Sequence, residues 1–172
     1  METLDFAAVT RALLRNALHE AREGRCGRIE VEVSADAVRV DDDGPGLPVH
    51  PHPRSGRPLA EVILTGPRRG PVNTLARVNA HCTWLEVEVH TGSERWGQRY
   101  EFALPTRSLE RRGPSARQGT TIVCAPALGA PPGLDDLRAL VRELQAEPGP
   151  PPRAEVRLRD LREPGGETVV LA

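Results

Sequence analysis

The chain has 172 residues, enough for one domain with a full hydrophobic core. Its 23 basic and 24 acidic residues nearly cancel, so no global charge draws it to nucleic acid or to an anionic membrane surface. Every basic side chain is arginine, which excludes Schiff-base chemistry through lysine. Cys26, Cys82 and Cys124 are too scattered for a zinc site or a disulfide framework and read as small buried apolar residues. No signal peptide and no stretch long enough to span a bilayer is visible, so a soluble cytoplasmic protein is expected.

In chain order, Leu4, Val9, Leu13, Leu14, Ala17 and Leu18 predict a helix over 4–23, stopped by Gly24. GRIEVEVS alternates Ile29, Val31 and Val33 with charged residues, the pattern of a half-buried strand. Ala35-Asp36 turns the chain, and Val38 and Val40 open a partner strand. PLAEVILT (58–65) and VNTLARVNA (72–80) read as short helices around the loop GPRRG. Strands then dominate: TWLEVEVH (83–90), RWGQRYEFAL (95–104) and GTTIVCAP (119–126), with HTGSE as the hairpin turn between the first two. In the second, Trp96, Tyr100, Phe102 and Leu104 are expected on one face. LDDLRALVRELQ (134–145) is an amphipathic helix, EPGPPP a stiff connector, AEVRLRDL a further strand and ETVVLA a candidate last one. Helices early and strands late predict an α+β two-layer sandwich rather than a doubly wound sheet, in one domain over 1–172.

Three segments carry chemistry. On the first helix, Ala12, Asn16 and Glu20 are four apart and share a face. VDDDGPGLP (40–48) stacks three carboxylates at a strand end before a glycine turn. QGTT places Thr120 on a later strand. A polar helix face, a carboxylate–glycine turn and a strand hydroxyl can line one pocket.

These segments together resemble the ATP-binding subdomain of the DNA gyrase B subunit, in the GHKL ATPase class. RNALHEAREGRCGRIEVEV resembles the motif whose Asn binds magnesium, and VDDDGPGLP the Asp-Gly-x-Gly motif whose Asp accepts from the adenine amino group. LAEVILT, VNAHCTWLEVEV, RWGQRYEFALP and QGTTIVCAP follow in family order, so the resemblance covers about residues 4–160. It implies a GHKL-type fold, with helices on one face of a mixed, mostly antiparallel sheet. It implies ligand contacts at Asn16, Glu20, Asp42, Gly44, Gly46 and Thr120, and ATP or ADP with magnesium at Asn16. An aspartate acceptor suits an exocyclic amine, and glycines let the backbone approach a flat base.

Four departures qualify what the resemblance implies. The family's water-activating Glu stands where this chain has Ala12, which accepts no proton. The glycine-rich lid that holds the phosphates is cut to LTGPRRGPVNTLARVNA, where Arg68 and Arg69 remain as possible anion contacts or as a solvated basic loop. Pro45 replaces the motif Arg that pairs with the residue matching Glu20. Glu20 is therefore either an unpaired carboxylate suited to acid/base work, with His19 beside it, or one served by an arginine from elsewhere. Nothing in these 172 residues resembles the family's dimer arm, transducer or DNA-cleavage segments, so a working topoisomerase is not expected. His50 and His52 in HPHP lack a third metal ligand and read as a surface loop.

The first expectation is a pseudo-ATPase that binds an adenine nucleotide without efficient hydrolysis, with ADP, adenosine and ATP of similar, modest affinity. The first alternative is a repurposed acid/base enzyme of specialised metabolism. It would act as an isomerase, cyclase or dehydratase on a non-nucleotide small molecule, through Glu20, Asp42 and His19. The second alternative is an interaction protein that binds a gyrase inhibitor or a partner. The partner expected in all three is a small molecule or protein, not nucleic acid or membrane.

Overall fold

The structure, a computed structural model, describes residues 3–67, 74–162, 164–165 and 168–171. Arg68 and Arg69 lie outside the described residues.

Helix α1 (Phe6–Arg22) starts where the Asp5 carboxylate accepts the N–H of Ala8 at 2.8 Å. It ends just before Gly24, which takes φ +72°. Val9, Leu13, Leu14, Ala17 and Leu18 bury its inner stripe. Strands β1 (Arg28–Val33) and β2 (Val38–Asp42) form an antiparallel hairpin whose turn is tied by the Ser34 N–H donating to the Ala37 carbonyl. Helices α2 (Leu59–Thr65) and α3 (Thr74–Ala80) follow. The chain then runs through β3 (Cys82–Thr91), β4 (Glu94–Glu101), β5 (Leu104–Pro105), β6 (Glu110–Pro114) and β7 (Gln118–Pro126). It closes with α4 (Leu134–Gln145), β8 (Glu155–Asp160) and β9 (Thr168–Leu171).

The nine strands form one sheet in the order β5-β4-β3-β7-β2-β1-β8-β9, with β6 also paired to β4. All described pairings are antiparallel except β1 with β8. Alternation sends Ile29, Val31, Val33, Val38, Val40, Leu85, Val87 and Val89 into one core with α1, α3 and α4. The opposite face carries a ladder of Arg28, Glu30, Glu32, Arg39, Glu86, Arg99, Arg157 and Arg159 in mutual ion pairs, so that face is wetted. This is a two-layer α+β sandwich with a mixed sheet. No described helix is long and apolar enough to cross a membrane.

One strand departs from expectation. The run 95–104 breaks at Glu101, because Phe102 (φ 49°) and Ala103 (φ 65°) make a tight two-residue turn that pairs Glu101 with Leu104. Phe102 and Leu104 are therefore exposed, at 74% and 71%, instead of sharing the face of Tyr100. Two apolar residues at positive φ carry no turn signature, so periodicity alone runs straight through them. Strand β6, ERRGP, was missed for the converse reason: it has no apolar alternation.

Helix α2 is tied to β4 by buried polar groups. Glu61 takes the Arg57 Nε–H at 2.7 Å and the Gln98 amide at 2.6 Å, and the buried Tyr100 hydroxyl donates to the Gln98 Oε1 at 2.6 Å. Burial, followed by the Glu61 charge, raises the Tyr100 phenol, so it remains a donor throughout the physiological range. Tyr100→Phe leaves the amide oxygen without its donor and is expected to cost about 1–2 kcal/mol by urea denaturation.

Candidate functional site

The three aspartates at the end of β2 have three different environments. Asp41 turns to the wetted face. Both of its oxygens accept from Arg117 Nη2 at 2.9 and 3.0 Å, and the Thr121 hydroxyl donates to it as well. Asp42 turns inward. Asp43 Oδ1 accepts the N–H groups of Gly27 and Arg28 at 2.8 and 2.9 Å and so fastens the start of β1. Although partial burial opposes it, those two N–H groups, the Cys26 thiol and the Arg28 charge hold the Asp43 carboxyl below the usual range. Asp41 and Asp43 are thus structural carboxylates, and Asp42 alone faces the helix layer.

Asp42 is 8% exposed. Its Oδ1 accepts the Gly44 N–H at 2.9 Å, and the backbone of Thr120 lies alongside on β7. The register of β2 against β7 places Asp42 opposite Thr120. Burial raises the Asp42 carboxyl to about 6, with the neighbouring Asp41 and Glu20 charges adding to the rise and the backbone of Gly44 and Thr120 opposing it. At neutral pH the group is mostly ionised and acceptor-only, and the Gly44 N–H fills one of its roughly four acceptor positions.

The glycines shape the wall beside it. Gly46 takes φ +79°, and a Cβ there would lie 3.2 Å from the carbonyl oxygens of Gly119 and His90. Gly44 is buried, and a Cβ there would lie 2.9 Å from Asp42 Oδ1. The Thr120 hydroxyl accepts the Leu47 N–H at 3.1 Å, which fastens the glycine turn to β7. Asp42, Thr120 and Asn16 line one cleft with the apolar walls Leu13, Ala17, Val40, Leu47, Leu75 and Ile122.

The α1 stripe divides along its length. Asn16 is exposed and borders the cleft, while Glu20 sits beside Gly44 at its rim. Glu20 is not an unpaired carboxylate: Arg25 Nε donates to its Oε2 at 2.7 Å. An arginine five residues on thus replaces the partner that Pro45 cannot supply, so Glu20 is the carboxylate served by an arginine from elsewhere and not the unpaired one. His19 is exposed and borders none of the cleft. Adjacent helix positions point about 100° apart, so the neighbour of Glu20 does not share its face. His52 Nδ1 faces the N–H groups of Arg54 and Ser55 at 3.3 Å and shapes a surface turn.

Cys26 is buried as expected and lies against the aspartate turn. Burial, reinforced by its hydrogen bond to Asp43 and by the Asp42 charge, pushes its thiol up to about 12. It stays protonated and is no thiolate nucleophile. Sequence reasoning missed Arg117, since no local pattern links it to Asp41, 76 residues away.

The cleft fits an adenine nucleotide in chemistry and not yet in size. A buried acceptor beside a glycine turn suits an amino-bearing flat base, and the Asn16 amide oxygen is a hard ligand of the kind magnesium accepts alongside water and phosphate. The cavity is only about 20 Å³, room for one water, whereas sites for small organic ligands hold about 300–1,000 Å³. A base enters only if the walls of the cleft move apart.

Helices on one face of a mixed sheet, with an aspartate–glycine turn opposite a strand threonine, give a fold of GHKL type. Comparison with known proteins agrees. The chain is 38% identical over 125 residues to the novobiocin-resistant DNA gyrase B subunit of Streptomyces niveus, covering 64% of this chain and 18% of that protein. It is 33% identical over 122 residues to the DNA gyrase B subunit of Treponema pallidum (strain Nichols), covering 62% and 19%. To the novobiocin-sensitive gyrase B subunit of Streptomyces niveus it is 35% identical over 122 residues, covering 62% and 18%. The chain therefore spans about a fifth of the length of these curated relatives, and the resemblance to the gyrase B subunit holds over that part. No family model matches the chain.

Proposed function

We propose that the chain is a pseudo-ATPase: it binds an adenine nucleotide, or a small ligand with the same amino edge, and does not hydrolyse ATP efficiently. The observation that carries this is Asp42, a buried acceptor framed by Gly44, Gly46 and Thr120, with Ala12 one helical turn before Asn16. Asp42 would accept from the base, Asn16 would face a magnesium-bound phosphate, and Leu47 and Leu75 would flank the ring. A bound nucleotide and its metal would supply the phosphate chemistry, and nothing at position 12 withdraws a proton from water. Loss of a positioned base slows such a step about 10²–10⁴-fold. The closed cleft divides the intrinsic affinity by the fraction of molecules that are open, so modest binding is expected.

The test is calorimetric titration with adenosine and with ADP plus magnesium, paired with an assay of phosphate release from ATP. Saturable binding with turnover far below that of a working gyrase-type ATPase is the expected result. Absence of binding at millimolar ligand, or brisk hydrolysis, would sink the proposal.

One observation favours the repurposed enzyme as a second reading. A cleft carboxyl near 6 is suited to general acid/base work. With Glu20 paired and His19 outside the cleft, that chemistry would rest on Asp42 alone.

A further inference from the structure

Three polar side chains on the wetted face of the sheet stand in a row that the Asp42 cleft does not use. Alternation along β3 sends Val87 and Val89 into the core and Glu86, Glu88 and His90 to the other face. His90 is nonetheless buried, and the connection from β6 to β7, residues 115–117, lies against it. The Ser115 hydroxyl is 2.7 Å from His90 Nδ1, and His90 Nε2 is 2.9 Å from Glu88 Oε1. The other oxygen of Glu88 lies 3.9 Å from Arg95 Nε.

The carboxylate fixes the roles of the two ring nitrogens. Nε2 carries the proton and donates it to Glu88, so Nδ1 is bare and accepts the Ser115 O–H. A hydroxyl, an imidazole and a carboxylate in that order are the parts of an activated nucleophile: the imidazole takes the hydroxyl proton and the carboxylate holds the ring. Backbone bonds hold the serine in place. The Ser115 N–H donates to the Ser93 carbonyl at 2.9 Å, and the Gly92 N–H donates to the Arg117 carbonyl at 2.7 Å, which fastens residues 115–117 to the β3–β4 turn. The Arg117 N–H donates to Ser115 Oγ at 3.2 Å, leaving the hydroxyl proton to His90. The exposed Ala116 N–H, directly after the serine, has no acceptor among the described residues, and a free N–H at that position suits a developing oxyanion. A second serine–histidine contact shows the contrast. Ser55 Oγ is 3.3 Å from His52 Nδ1, but that nitrogen already faces two backbone N–H groups and cannot take a further proton from the serine.

We propose that Ser115 and His90 are the catalytic residues of a separate site that hydrolyses small carboxylic esters, with Glu88 positioning His90 and the Ala116 N–H receiving the oxyanion. Ser115 Oγ bonds to the ester carbonyl carbon while its proton passes to His90 Nδ1. The C–O bond to the alcohol then breaks, and the departing oxygen takes that proton. Water adds to the acyl-serine and gives a proton to His90 Nδ1. The bond to Ser115 Oγ breaks as that proton returns to the serine. Ester and water become acid and alcohol, and nothing is oxidised or reduced. Ala116 and Arg117 are exposed, so the acyl group meets solvent and short chains such as acetyl suit the site. The site shares no residue with the Asp42 cleft and does not depend on nucleotide binding there.

The test uses the full chain with p-nitrophenyl acetate as substrate and a fluorophosphonate, which bonds covalently to activated serines, as probe. Saturable release of nitrophenol is expected, with a single phosphonyl group per chain located on Ser115 by peptide mass spectrometry. Ser115→Ala is expected to lose the label and to lower kcat about 10²-fold or more. Glu88→Gln is expected to lower kcat about tenfold or more with KM unchanged, because Glu88 touches the imidazole and not the ester. Ser55→Ala is expected to turn over as wild type does. Labelling of the wild type needs no substitution, so it decides the proposal even where a variant fails to fold. The proposal is overturned if the probe leaves Ser115 unlabelled. It is also overturned if a folded Ser115→Ala keeps the wild-type rate, or if Glu88→Gln keeps the wild-type kcat.

Discussion

Asp42→Asn is expected to make the protein more stable at pH 7.5 and unable to bind adenine. A carboxyl moved from 3.8 to about 6 by burial costs the folded state about 3 kcal/mol at neutral pH. Asparagine keeps an oxygen for the Gly44 N–H and carries no charge to desolvate. For a domain of this size that corresponds to a melting point higher by roughly 5–10 °C. The sign follows from the order of the two titrations. The folded protein holds this proton up to about pH 6, and the unfolded chain releases it near 3.8, so the wild-type group favours folding at low pH and loses that contribution as pH rises through 6. The advantage of the variant should therefore vanish below about pH 4, grow between about 4 and 6, and be complete above that. Under the proposed function, adenine binding runs the other way: it relies on the ionised acceptor and is expected to weaken in the wild type below about pH 6. Thermal melts of both proteins from about pH 4 to 8, with adenosine titrations at each end, check both trends. A variant less stable than wild type at pH 7.5 would mean that the Asp42 charge is compensated by more than its backbone neighbours.

The second large effect is expected at Gly119, where β7 passes behind the site. Its φ is +136°, and a Cβ there would fall well inside contact distance of the Asp42 carbonyl oxygen, 2.9 Å from the Asp42 carbonyl carbon and 3.0 Å from the Asp43 Cα. All three are backbone atoms of the aspartate turn, which cannot swing aside as a side chain would. Gly119→Ala must either part β7 from β2 or displace Asp42, at a cost upwards of about 4 kcal/mol. The comparison is Gly92→Ala, in the β3–β4 turn. There φ is +89° and nothing lies within 4 Å of an added Cβ, so only the dihedral penalty of about 1–2 kcal/mol applies. Urea denaturation of the two variants separates backbone crowding at the site from the ordinary cost of a left-handed residue. Equal losses would show that crowding against Asp42 contributes nothing.

Both expectations concern residues whose importance had different visibility in the sequence. Asp42 and Gly119 lie in segments singled out from VDDDGPGLP and QGTT, yet their contact arises from the register of β2 on β7, which no local pattern specifies. Helix α4 was legible to the residue, 134–145, because its apolar stripe repeats with the period of a helix. The alternating strands β1, β3 and β7 were legible for the same reason at period two. The hairpin turn at Gly92-Ser93 carried its glycine, whereas the turn at Phe102-Ala103 carried no signal and was read as strand.

The sequence by itself determined where the regular elements lie, their two-layer arrangement, and the position of a carboxylate at a glycine turn next to a polar helix face. Those features depend on side-chain periodicity and on turn chemistry within a few residues. Only the tertiary structure decided which aspartate meets which partner. Asp41 goes to Arg117 across 76 positions, Asp42 goes to a closed cleft, and Glu20 is claimed by Arg25. The physical reason is range. Periodicity is a property of neighbouring residues, whereas the partner of a charge is chosen by strand register and helix packing, which bring together groups that the chain separates by dozens of residues.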